Sequence, residues 1–130
     1  MGYDEGTPPY PATLKAHKRH EIFLRSHRDI QAVKQHGQRI STALFNLLAY
    51  NMDDSPSRVG IIVGRRFGNA VRRNRAKRVF RELVRDSYSK LASGRGVLVF
   101  PKKDALVLSR KDLVQAWTTS LKRMHLLRPD

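Results

Sequence analysis

Arg58-Val-Gly-Ile-Ile-Val-Gly-Arg-Arg-Phe-Gly-Asn-Ala-Val-Arg-Arg-Asn-Arg-Ala-Lys-Arg-Val-Phe-Arg-Glu82 is the stretch on which the fold turns. It opens on β-branched and apolar residues, Arg58 to Val63, that read as a strand. From about Asn69 to about Leu91 the apolar residues recur at helical spacing, until Ser93, Gly94 and Gly96 stop the run. Gly96 to Phe100 then returns to strand-like composition. A strand, a long helix and a strand in succession predict a parallel pair joined by a crossover.

Upstream, Ile40 to Tyr50 reads as a further strand, bounded by turn-forming sequence from Asn51 to Ser57. Before it, Ser26 can cap a short helix with Asp29 in its first turn, Ile30 and Val33 on its apolar stripe and Gly37 at its end. Downstream, Ser109 and Asp112 stand at capping-box spacing, followed by Leu113, Trp117, Leu121 and Met124 at successive turns of a last helix with an apolar face. The start of the chain, 1–13, is rich in Gly and Pro and reads as a flexible arm, leaving 14–130 as a single α+β domain, a small α/β sandwich with helices packed on the sheet.

With 130 residues and 40% hydrophobic content, the chain can fill one modest core. Lys and Arg number 26 against 11 Asp and Glu, a formal charge of +15, which repels itself unless a polyanion is bound. No apolar run approaches the roughly 20 residues of a membrane span. The absence of cysteine excludes disulfides and thiolate zinc sites and fits a cytoplasmic setting. The first residues, carrying Asp4 and Glu5, lack the basic start and apolar core of a secretory signal.

The charge concentrates on the long helix. Between Arg65 and Arg85 the only acid is Glu82. At about 100° per residue, Ala76, Val79, Phe80 and Leu83 gather on one side, with Asn74, Arg78, Arg81 and Arg85 opposite. Arginine's planar fork gives phosphate two parallel charged hydrogen bonds and can stack on bases. A solvated face would carry mixed signs, whereas this one is almost uniformly positive. Arg72 and Arg73 fall nearer the apolar side, in the first turn, where their side chains can pass the end of the sheet. The free N–H groups of that first turn also favour phosphate, and Gly68 permits close backbone approach.

This segment resembles the signature of the bacterial ribonuclease P protein component. Arg73, Asn74 and Arg75 match the family's Arg-Asn-Arg motif, preceded by Gly68, Asn69, Ala70 and Val71 and followed by Lys77, Arg78, Arg81 and Glu82. Weaker similarity runs from about Leu24 through Phe45 and from Val97 through the final helix. The resemblance implies a ribosomal protein S5 domain 2-like fold, in order αβββαβα, with a left-handed crossover where a right-handed one is the rule. It also implies a monomer within a ribonucleoprotein whose RNA subunit holds Mg²⁺ and cuts the 5′ leader from precursor tRNA, the protein itself holding no cofactor. On this reading Arg65, Arg66, Arg73, Asn74, Arg75, Lys77, Arg78 and Arg81, with Asn69, Arg72 and Arg85, form the RNA-binding set. The leader would lie between the first helix and the sheet, against Ile30, Lys34, Phe45 and Leu48. Related proteins usually carry aromatic residues at the positions of Ile30, Lys34 and Leu48.

Other signals are weaker. His17 and His20 could share a metal but have no third ligand. Asp53 and Asp54 read as a solvated turn, Trp117 reads as core, and no phosphate loop or Ser-His-Asp set suggests protein-borne catalysis. The competing functions are a ribosomal RNA-binding protein of the same fold and a major-groove DNA binder, the latter lacking a partner helix for docking.

Overall fold

The computed structural model describes residues 22–52 and 56–129. Among them are helices α1 (His27–His36), α2 (Ala70–Ser87) and α3 (Arg110–Arg123) and strands β1 (Gln38–Ser41), β2 (Phe45–Asn51), β3 (Arg58–Ile61) and β4 (Arg95–Pro101). Each helix begins where a short polar side chain replaces the missing intrahelical acceptor. Ser26, Asn69 and Ser109 accept from the backbone N–H groups of Asp29, Arg72 and Asp112.

The strands form one sheet in the order β1-β2-β4-β3, antiparallel except for the β3–β4 pair that α2 connects. Strand alternation divides its residues between two faces. Phe45, Leu47, Val59, Val97 and Val99 point into the main core beneath α2 and α3, with Phe80, Leu83, Leu113, Trp117 and Leu121. Phe45, Phe80 and Trp117 meet edge to face, with centroids 5.5–6.4 Å apart. The Trp117 indole N–H donates to Ser87 Oγ at 2.9 Å, so this large side chain is buried with its polar atom satisfied. The other face carries a smaller cluster under α1, centred on Leu24, Val33 and Leu98. Gly96 lets α1 sit close there, because a Cβ at that position would lie 2.6 Å from Met52 Sδ and 3.0 Å from Val33 Cγ2.

The structure corrects several expected boundaries. The continuous strand Ile40 to Tyr50 is a hairpin, β1 and β2, because the Thr42 hydroxyl donates to Phe45 O and accepts from the N–H groups of Leu44 and Phe45. The long helix ends at Ser87 and continues only as a 3-10 turn, Tyr88–Lys90, where the Tyr88 hydroxyl donates to Ser57 O. Met124, at the C-terminal cap of α3, is half-buried and packs against the edge of the main core. The arm 1–13, His17, His20, Asp53 and Asp54 lie outside the described residues.

Candidate nucleic-acid interface

The basic segment starts in a 3-10 turn, Arg65–Phe67, anchored by the buried Phe67 ring and leaving Arg65 and Arg66 exposed. Gly68 follows with φ +148°, a conformation open to glycine and strained for other residues. Asn69 then caps α2, its side-chain oxygen 3.0 Å from Arg72 N. Arg73 turns back at this end, and its Nη1 donates to Gly68 O at 2.6 Å, which fixes the turn and the guanidinium together. Arg72 stays exposed, as expected for a first-turn side chain that passes the sheet edge. Gly64 has open space around its would-be Cβ.

Along α2, Ala76, Phe80, Leu83 and Val84 are buried, while Asn74, Arg75, Arg78 and Arg81 are exposed. Lys77 is half-buried at the margin of the core. Arg85 departs from the wheel: its guanidinium lies 5.8 Å from the centroid of the Phe23 ring, and the side chain is half-buried. The acids near this row, Glu82 and Asp86, are both taken by Arg110 of α3, at 2.9 and 2.5 Å. Among the described residues, Arg75, Arg78 and Arg81 therefore have no carboxylate partner. The outer face of α2 offers uncompensated guanidinium groups, the arrangement that phosphate selects.

On the α1 side of the sheet, Ile30, Leu48, Tyr50, Ile62 and Phe100 are only partly buried against the small cluster. Together they form a partly buried apolar surface beside α1, and Lys34 of that helix is exposed. The His36 and Tyr50 rings lie 5.7 Å apart at 35°. Asn46 shares the strand parity of Leu48 and is paired in register with Phe100. Its Oδ1 is buried without a hydrogen-bond partner among the described residues.

Of the residues expected to meet the leader, the structure brings Ile30, Lys34 and Leu48 to this side and removes Phe45. The Phe45 ring is fully buried in the main core against Phe80 and Trp117, because positions 45 and 48 have opposite strand parity. Sequence reasoning missed Tyr50 and Phe100, the aromatic residues that share this side with Leu48. The two-residue step from Leu48 to Tyr50 was a usable signal, whereas Phe100 needed the β2–β4 register. Among the described residues, no group of three or more His, Asp or Glu side chains is placed to hold a metal ion. No described helix is long and apolar enough to cross a membrane.

Comparison with known proteins gives one consistent result. A family model described as Ribonuclease P matches residues 15–125. The ribonuclease P protein component of Finegoldia magna is 37% identical over 95 residues, covering 73% of this chain and 83% of its own. That of Thermotoga maritima is 34% identical over 106 residues, covering 81% of this chain and 88% of its own. The solved RNase P protein from Thermotoga maritima superposes with a TM-score of 0.69 at 30% identity, over 78% of this chain and 96% of that one.

Proposed function

The chain belongs to the ribonuclease P protein family and is thus a tRNA-processing subunit, and from that premise we propose how it works: α2 clamps the catalytic RNA while the apolar surface beside α1 receives the 5′ leader of precursor tRNA. The observation that carries this reading is the row Arg75, Arg78 and Arg81, exposed and without acid partners among the described residues because Arg110 occupies Glu82 and Asp86. Arg65, Arg66 and Arg72 extend the row past the helix start. Arg73 has a second role, since its bond to Gly68 O holds the turn that presents them.

The protein's part is positional. Guanidinium groups neutralise and orient RNA phosphates, and the single-stranded leader lies on Tyr50, Phe100 and Ile30, where base stacking contributes roughly 1–3 kcal/mol per base with little sequence preference. Lys34 of α1 would hold a leader phosphate. The RNA subunit holds Mg²⁺ and cuts the phosphodiester bond.

Reconstitution with a bacterial ribonuclease P RNA tests this. The protein is expected to stimulate leader removal at low Mg²⁺, and Arg78→Ala with Arg81→Ala to weaken RNA binding and flatten its salt dependence by about one unit of slope per lost contact. Phe100→Leu keeps an apolar side chain but removes the ring. It should weaken binding of a precursor with a leader relative to a tRNA without one. Cleavage that is indifferent to the protein would refute the proposal.

A further inference from the structure

At the end of α2 away from Gly68 and Asn69, separate parts of the chain are sewn together. Arg128 N donates to Lys90 O at 2.7 Å, Arg128 Nε to Leu91 O at 3.1 Å, and Ala92 N to Leu126 O at 2.8 Å. Leu91 and Leu127 form an antiparallel bridge. These bonds gather Lys90 and Arg128 with Lys122, Arg123 and His125 at the end of α3, and Ser57 Oγ, which accepts from Arg95 N and donates to Ala92 O, ties Arg95 to them. Arg95 is half-buried and the others are exposed. The sequence has no Asp or Glu in 87–103 or 113–129. Asp86, four residues before Lys90, is engaged by Arg110, and Asp130, two residues after Arg128, lies outside the described residues. Among the described residues none of these cations has an ion-pair partner.

The helix macrodipole accounts for Lys122 and Arg123, which lie in the last turn of α3. It does not account for Lys90, Arg95 and Arg128, which come from other segments. His125 adds an independent sign. It closes α3 in the left-handed conformation, φ 57°, as the only such non-glycine residue among those described. The bonds around it, His125 N to Lys122 O at 3.0 Å and Leu126 N to Leu121 O at 2.9 Å, form the helix end that ordinarily selects glycine. A side chain kept in that conformation, exposed among cations, points to use at the surface.

We propose that this corner, which holds no acid among the described residues, is a second RNA-phosphate-binding surface. With 18 residues at a rise of about 1.5 Å each, α2 sets it roughly 27 Å from the helix start, so the protein grips RNA backbone at both ends of α2. An anionic membrane fits less well, because Leu91 and Leu126 at the corner are buried and no apolar face accompanies the charge. The proposal rests on the reading of the protein as an RNA binder, but not on which RNA α2 holds. The phosphates could belong to the catalytic RNA or to the precursor.

The test uses the full chain and titrates ribonuclease P RNA and precursor tRNA separately over a range of KCl concentrations. Lys90→Gln/Lys122→Gln/Arg123→Gln changes exposed side chains only. The log affinity against log salt slope is expected to fall by about 2 to 3 for whichever RNA occupies the corner, at roughly 0.7–0.9 per lost phosphate contact. His125→Gly should raise the melting temperature, by relieving the left-handed backbone, and yet weaken binding of the same RNA. Unchanged slopes for both RNAs would overturn the proposal, as would binding of the unaltered chain to phosphatidylserine vesicles that only the triple variant loses. Arg75→Gln/Arg78→Gln, run alongside, separates the two readings. If it flattens the slope while the triple variant does not, only the corner fails; if neither does, the RNA-binding reading fails with it.

Discussion

At the residue scale, Gly68 holds the turn that starts α2. Its φ of +148° has little room for a side chain, and a Cβ there would stand 3.1 Å from Arg72 Cδ. Its carbonyl also anchors the Arg73 guanidinium. Gly68→Ala is therefore expected to cost on the order of 1–3 kcal/mol of stability in denaturant titration. It should also weaken RNA binding, because the turn carrying Arg65 and Arg66 must shift. A midpoint equal to that of the parent would show that the turn is not constrained as described. Phe45 and Phe100 make the complementary point: each is an aromatic residue at one end of a strand, and parity sends one to the core and the other to the opposite sheet face.

At the element scale, the contact between α2 and α3 combines a fully buried aromatic interior with an exposed ionic rim. Exposed ion pairs contribute only about 0–1 kcal/mol, so the Arg110 bridge to Glu82 and Asp86 matters little for holding the helices together. Its larger effect is on charge. Glu82 lies four residues after Arg78 on α2, the spacing at which such side chains pair. Arg110→Ala releases Glu82 toward Arg78 and leaves Asp86 uncompensated. The expected outcome is an RNA affinity reduced about threefold to tenfold, matching roughly 1 kcal/mol, with a small change in melting temperature. Adding Glu82→Gln and Asp86→Asn should restore binding. Failure to restore it would mean that Arg110 touches RNA itself.

At the scale of the whole molecule, a formal charge of +15 on 130 residues works against the compact state, and a bound polyanion relieves it. Saturating RNA at about one hundred times its dissociation constant should add about 2.7 kcal/mol to the unfolding free energy. Polyphosphate at constant ionic strength should raise the melting temperature in the same direction, and a melting temperature insensitive to both would contradict a folded state that binds anions. The sequence by itself determined the α+β class, the caps at Ser26 and Ser109, the buried stripes of α2 and α3, and the basic row, since these follow from local spacing and charge. Only the tertiary structure decided that Thr42 breaks one apolar run into a hairpin, that Phe45 is core while Phe100 lies on the opposite sheet face, that Arg85 covers Phe23, and that Arg110 takes the acids beside the arginine row. Each of these depends on which segment packs on which face, and that is fixed by contacts between residues far apart in the chain.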